Sequence, residues 1–173
     1  MASLDCQKVR GLFPDLTTLT KILHAAMTIT SADKGNIQIL DPLSRSLRIA
    51  VQEGFAEPFL QFFEEVNHRS AACGTAMKLL ERVVVEDVRQ SQIFIGTDAL
   101  EVLLEAGVQA VQSTPLITKN GYIVGMMSTH YGVPTRPTRE QLHLLDELAE
   151  LAAELIGESQ KQPSDHIAKS VVS

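Results

Sequence analysis

The segment from Val108 to Gly132 constrains the fold more than any other part of the chain, because it joins a tight-turn signal to two unusually apolar runs. Lys119-Asn120-Gly121 lies between the runs, and an Asn-Gly pair is typical of a hairpin turn. A half-exposed hairpin alternates apolar and polar residues, whereas these runs are almost continuously apolar. The segment therefore predicts two central strands that are covered on both faces.

Each apolar run carries small hydrogen-bonding side chains at its centre. Buried polar groups need partners in the protein or in a bound molecule. Strand alternation predicts that these side chains form two sets on opposite faces of the sheet. We expect one set to line a pocket and the other to be satisfied within the protein, and we favour the first set for the pocket. The first set is Gln112, Thr114 and Thr129, and the second is Ser113, Ser128 and His130.

The bulk composition indicates one globular domain with an ordinary core. The chain has 173 residues, of which 45% are hydrophobic and 21% charged, and its net charge is −6 without a charged block. We therefore expect neither nucleic acid nor an anionic membrane as a partner, because both attract clustered Lys and Arg. No signal-peptide pattern and no apolar run of about 20 residues is present, so the expected location is the cytoplasm.

The order of secondary-structure elements follows from the apolar periodicity and the turn residues. A helix from Asp15 is followed by two strands and then by two short helices, the first rich in Phe and the second in small residues. The predicted strands before the hairpin are residues 36–40, 47–52 and 82–87.

Capping patterns predict where the remaining helices begin and end. Asp98 and Glu101 have capping-box spacing ahead of a helix that Gly107 ends. Thr138 and Gln141 have the same spacing at the start of the longest helix, which we expect Gly157 to end. The chain thus divides into a flexible arm (1–14), an α+β domain (15–157) and a disordered tail (158–173).

This order, read with particular segments, resembles the GAF domain, a small-molecule-sensing fold related to PAS. The matching segments are residues 32–38 (ADKGNIQ), 72–76 (ACGTA), 83–88 (VVVEDV), 106–116 (AGVQAVQSTPL) and 125–130 (GMMSTH). The likeness is greatest to GAF domains of bacterial sensor kinases, although this chain is expected to stand alone. It implies an antiparallel sheet of five to six strands, with terminal helices on one face and short helices over a ligand pocket on the other.

The resemblance also implies where a ligand would bind. The residues expected at the pocket are Gln38, Phe59, Phe63 and Cys73, together with the favoured hairpin set Gln112, Thr114 and Thr129. GAF domains bind cyclic nucleotides, bilins, haem, small anions and amino-acid-like molecules, so family membership leaves the ligand and any cofactor unknown. Neither Cys6 nor Cys73 has a neighbouring histidine, and bilin attachment is therefore not expected.

Cys73 raises the possibility of an enzyme. GAF-fold free methionine-R-sulfoxide reductases carry a cysteine in a similar Cys-Gly segment, but they use a further cysteine in the stretch that corresponds to residues 93–106. That stretch contains none here, so a resolving thiol is missing from the domain. A buried structural cysteine is the more common situation.

The sequence thus favours a regulatory domain over an enzyme. It shows no catalytic triad, phosphate-binding loop or metal-ligand spacing, so we predict no catalytic residues and no metal site. The primary hypothesis is a small-molecule sensor in bacterial signal transduction, dimeric through its terminal helices and acting on a histidine kinase or another signalling protein. The alternatives are a methionine sulfoxide reductase relative and a ligand-free dimerisation or adaptor domain.

Overall fold

The computed structural model describes residues 14–64 and 71–161, which form five helices and five strands. The predicted arm and most of the predicted tail lie outside these residues. The helices are α1 (Leu16–Thr30), α2 (Glu57–Phe62), α3 (Ala72–Leu79), α4 (Asp98–Glu105) and α5 (Arg139–Lys161). The strands are β1 (Lys34–Leu40), β2 (Leu47–Glu53), β3 (Val83–Val85), β4 (Ala110–Ile117) and β5 (Ile123–Tyr131).

The strands form one antiparallel sheet in the order β2-β1-β5-β4-β3. The predicted hairpin is β4 and β5, and both strands are buried along almost their whole length. Gln112 lies opposite Thr129, and Ser113 lies opposite Ser128. The pairing confirms both the α+β class and the prediction that the two hairpin polar sets occupy opposite faces.

Each face of the sheet has its own hydrophobic core. The terminal helices α1 and α5 cover one face, where Leu23, Met127 and Leu145 are buried together. Helices α2, α3 and α4 cover the other face, where Phe59 and Met77 are buried. This arrangement confirms the predicted layers and places the short helices over the face that carries Ser113, Ser128 and His130.

The two predicted capping boxes have different outcomes. Thr138 and Gln141 form the predicted box. The backbone N–H of Gln141 donates to Thr138 Oγ1 (3.2 Å), and the backbone N–H of Thr138 donates to Gln141 Oε1 (2.8 Å). The prediction of a capping box at Asp98 and Glu101 is wrong, because Thr97 is the N-cap and Asp98 is already helical. The two carboxylates still lie in the first turn of α4, where the helix dipole favours negative charge.

The predicted end of the last helix at Gly157 is also wrong, since α5 continues to Lys161. A Cβ atom on Gly157 would lie 2.8 Å from Thr118 Cγ2, so the glycine allows close packing on the β4–β5 turn rather than ending the helix. Strand β3 is shorter than predicted because Asp87 caps a 3₁₀ turn (Val88–Gln90) directly after it. No helix within the described ranges is long and apolar enough to cross a membrane.

Candidate functional site

A small cavity lies between the sheet and the short helices. Its volume is about 20 Å³, compared with the roughly 10–15 Å³ that one buried water requires. The sheet contributes Asn36 and Gln38 from β1, Val111 and Ser113 from β4, and Ser128 and His130 from β5. The cover contributes Phe59, Phe63, Ala71, Ala72, Cys73, Phe94 and Leu103.

The structure separates the seven predicted site residues into two groups. Gln38, Phe59, Phe63 and Cys73 line the cavity. The favoured hairpin set does not, because Gln112, Thr114 and Thr129 lie on the face that the terminal helices cover. The second set lines the cavity instead, together with Asn36, which shares a face with Gln38 by strand alternation.

The polar groups on the helix-facing side satisfy one another. Gln112 Nε2 donates to Thr129 Oγ1 (3.0 Å), and Gln112 Oε1 accepts from Thr114 Oγ1 (2.8 Å). Thr129 Oγ1 shares a further hydrogen bond with the Tyr131 hydroxyl (2.8 Å). Arg82 completes the network by donating from Nε to Thr114 Oγ1 (2.9 Å). This network engages both the nitrogen and the oxygen of the Gln112 amide within the protein.

Arg82 also ties this network to helix α5. Its Nη2 donates to the Leu142 carbonyl oxygen (3.2 Å) and to Asp146 Oδ1 (2.5 Å). The residue follows the cavity-covering helix α3 and precedes β3, so one side chain connects the cover, the sheet and the C-terminal helix. Sequence reasoning gave no indication of this role, because the partners of Arg82 lie 32 to 64 positions away.

The polar groups on the cavity side are only partly satisfied. Ser113 Oγ and Ser128 Oγ share a hydrogen bond of 2.7 Å. Asn36 Oδ1, Gln38 Oε1 and His130 Nδ1 are buried and have no hydrogen-bond partner among the described residues, and their residues are 4%, 2% and 5% exposed. Unpaired buried polar atoms are uncommon in folded proteins. Here three of them line one cavity.

Burial keeps the two titratable groups of the cavity uncharged. It lowers the pKa of His130 to about 3, with a smaller contribution from the nearby Lys34 charge. Burial raises the pKa of the Cys73 thiol to about 11, partly offset by hydrogen bonds from the Gly74 N–H and the Gln38 side chain. Near neutral pH the cavity therefore contains a neutral imidazole and a protonated thiol.

Aromatic contacts hold the cover in place. The rings of Phe55 and Phe59 are stacked with their centroids 3.8 Å apart, and Phe63 lies 4.6 Å from Phe59. The Phe55 ring also meets the His130 imidazole edge-on at 4.9 Å. The Phe-rich segment thus closes one side of the cavity and contacts one of its polar groups. In the part of the chain that the structure describes, no group of three or more His, Cys, Asp or Glu side chains could hold a metal ion.

Solved structures of other proteins share this fold. A domain assigned to a two-component sensor histidine kinase from Sinorhizobium meliloti 1021 is 18% identical with a TM-score of 0.69, over 83% of this chain and 91% of that one. Free methionine-R-sulfoxide reductase from Neisseria meningitidis, in complex with its substrate, is 18% identical with a TM-score of 0.65, over 84% and 80% of the respective chains. The type II enzyme from Thermoplasma acidophilum is 17% identical with a TM-score of 0.63, over 83% and 96%. At these identities the likeness concerns the fold alone.

No curated protein matches the chain. The family model described as "GAF domain" matches residues 16–156, which include every helix and strand described above except the last residues of α5. The five-stranded antiparallel sheet with its helices agrees with this match. The chain belongs to the GAF domain family.

Proposed function

We propose that this GAF domain is a small-molecule-sensing regulatory module that binds its ligand in the cavity beneath helices α2 to α4. The observation that carries the proposal is the convergence of three unpartnered buried polar atoms, Asn36 Oδ1, Gln38 Oε1 and His130 Nδ1, on that cavity. A buried polar group without a partner destabilises the fold by about 1–3 kcal/mol. A ligand that supplies the missing hydrogen bonds recovers this free energy on binding.

The cavity requires the cover to move when a ligand larger than a water molecule binds. Its volume of about 20 Å³ is far below the roughly 300–1,000 Å³ of ordinary ligand pockets. Helix α2 has only 6 residues, of which Phe59 is buried. Displacement of this short helix would enlarge the cavity without disturbing the sheet.

A movement of the cover could reach the terminal helices through few intervening residues. Helix α3 carries Ala72 and Cys73 at the cavity, and Arg82, just after it, bonds both Thr114 on β4 and Asp146 on α5. A ligand alters the output only if it binds one arrangement of these elements more tightly than another. We propose that the contacts of Arg82 with Thr114 and Asp146 differ between the two arrangements, so that a ligand can favour one arrangement over the other.

We propose that the domain forms a dimer through its terminal helices and that this dimer acts on a histidine kinase or another signalling protein. Helix α5 carries a row of leucines at alternating spacings of four and three residues, the spacing of a coiled-coil seam. One of them, Leu151, is 61% exposed. The row is Leu144, Leu148, Leu151 and Leu155. The likeness to a sensor histidine kinase domain supports the choice of partner class.

Native mass spectrometry of the protein purified from its own host tests the proposed function. We expect a discrete added mass on the wild type, and its loss from the double variant Asn36→Leu/Gln38→Met, which removes two of the unpartnered oxygens. The variant Thr129→Val makes a similar polar-to-apolar change on the opposite face and should keep the added mass. Loss of the added mass from Thr129→Val alone would indicate that the ligand binds at the helix-facing set instead. Absence of an added mass in every sample would favour an adaptor role.

A methionine sulfoxide reductase activity is the second candidate, because two such enzymes share the fold and Cys73 lines the cavity. Against it, the pKa of the Cys73 thiol is raised to about 11, and the thiolate is the nucleophilic form. Thiol-dependent turnover of free methionine-R-sulfoxide that is lost in Cys73→Ser would establish the enzyme. We expect no turnover in either protein.

A further inference from the structure

We infer that the cavity takes an uncharged, planar ligand of the carboxamide type, with N–H groups directed to Asn36 and Gln38. This inference rests on the proposed function and narrows it from any small molecule to one chemical class. The two features that decide it are the type of the unpartnered atoms and the absence of ionic partners among the described lining residues.

The unpartnered atoms of the two amides are both acceptors. Asn36 Oδ1 and Gln38 Oε1 are carbonyl oxygens, and only a donor can satisfy them. The residues are two apart on β1 and therefore project from the same face, roughly 7 Å apart along the strand. A ligand that satisfies both needs two N–H or O–H groups on one edge. A primary amide nitrogen supplies two such hydrogens, and it bonds both oxygens when the two side-chain ends converge to within about 5 Å of each other.

The described cavity lining contains no carboxylate, lysine or arginine. An anion that enters the cavity would lose its hydration and meet no countercharge in the lining. A cation would also be disfavoured, since carbonyl oxygens alone replace only part of its hydration. His130 is neutral because burial lowers its pKa to about 3. The Lys34 ammonium acts on His130 from outside the cavity lining, so it opposes a cation but offers an anion no direct contact. An uncharged ligand avoids both penalties.

The remaining surfaces of the cavity suit a flat group that also has a carbonyl. The rings of Phe59, Phe63 and Phe94 provide apolar walls. The hydrogen bond between Ser113 and Ser128 uses one of their two hydroxyl hydrogens, and the other is available to a ligand oxygen. An amide offers donors on one edge and an acceptor on the other, which is the complement of this lining.

Three probes of the same shape separate the charge classes: acetamide, acetate and acetamidinium. Each is titrated into uniformly ¹⁵N-labelled full-length protein while the side-chain amide signals of Asn36 and Gln38 are followed. We expect saturable shifts with acetamide, and apparent affinities at least tenfold lower for both ions. Asn36→Leu/Gln38→Met should lower acetamide affinity at least tenfold, followed through backbone signals of β5. Ser46→Ala, a buried polar-to-apolar change in the β1–β2 turn, should leave it unchanged.

Equal or tighter binding of either ion would overturn the inferred class while leaving the proposed function in place, because the cavity would then be shown to bind. An acetamide affinity unchanged by the double variant would overturn it too, since the probe would be binding elsewhere. Failure of all three probes also overturns the class. In that case the native mass spectrum decides the proposed function separately.

Discussion

Two glutamines illustrate at the residue scale how the two faces of the sheet differ. Gln112 is fully buried, and both ends of its amide are used, the nitrogen by Thr129 and the oxygen by Thr114. Gln38 is buried almost as deeply, but its Oε1 has no partner. The first glutamine stabilises the packing of sheet and helices. The second has an acceptor that no described group of the protein satisfies, so it can accept a hydrogen bond from a bound molecule.

His130 makes a pH dependence measurable. The unfolded chain has an ordinary histidine pKa of about 6.5, whereas burial lowers the folded value to about 3. Between these values the unfolded state takes up a proton that the folded state does not, so stability falls as the pH falls below about 6.5. From about pH 7.5 to about pH 5.5 we expect wild type to lose roughly 1.4 kcal/mol more than His130→Asn.

The measurement is urea unfolding followed by circular dichroism at both pH values, because the chain has no tryptophan. The other histidines are retained in both proteins, and their contributions cancel in the comparison. Parallel losses in wild type and variant would show that His130 titrates normally in the folded state, and hence that it is not buried as described.

At the scale of elements, helix α2 is the part of the cover that we expect to open most readily. A helix of 6 residues has little stability of its own, and Phe59 is its buried anchor. Phe59 lines the internal cavity and also an open surface groove beside Pro58 and Val102. Its ring therefore separates Cys73 from solvent on that side.

Phe59→Ala should expose Cys73. In a Cys6→Ser background we expect methyl methanethiosulfonate to label Cys73 at least tenfold faster in Phe59→Ala than in the parent, as read by intact mass. A loss of global stability would also accelerate labelling, since a buried Phe→Ala change costs about 3–5 kcal/mol. Leu145→Ala in the opposite core is the matched control, and equal acceleration there would contradict local opening.

Gln141, in the first turn of helix α5, makes two kinds of hydrogen bond. Gln141 completes the capping box with Thr138, and its Nε2 donates to the Ile29 carbonyl oxygen of α1 (2.9 Å). Glutamate usually improves this position of a helix. Here Gln141→Glu should instead destabilise the protein by about 1 kcal/mol, because a carboxylate cannot donate to Ile29. Thermal unfolding of wild type, Gln141→Glu and Gln141→Ala checks this, and a glutamate variant as stable as wild type would refute it.

The elements that the sequence predicted correctly are those with local signals. The Asn120-Gly121 turn and the apolar runs beside it predicted β4 and β5, because turn chemistry and burial are both visible in a short window. The side of the cavity was not predictable in this way, since both faces of the hairpin carry polar groups. The contact that joins the Gln112 set to the helix side comes from Arg82, 32 positions from its partner Thr114, and is not visible in a short window.

At the scale of the whole molecule, the sheet separates the layer that contains the cavity from the layer of the terminal helices. The cavity and its short helices lie on one face, and α1 and α5 lie on the other. The central strands present alternate residues to each side, so that Ser113 and Ser128 contact the cavity while their neighbours Gln112 and Thr129 lie under the terminal helices. A displacement of either strand therefore affects both layers at once.

The proposed dimer makes Leu151 the most informative surface position. Leucine at 61% exposure lies in the middle of the row on α5 and has much apolar area to bury against a second copy. Leu151→Glu should therefore convert a dimer to a monomer in sedimentation velocity and leave the melting temperature of the monomer's fold nearly unchanged. Leu43→Glu makes the same substitution at a 94% exposed position in the β1–β2 turn and should remain dimeric. A monomeric wild type, or a Leu151→Glu variant that stays dimeric, would place the output on another surface of the domain.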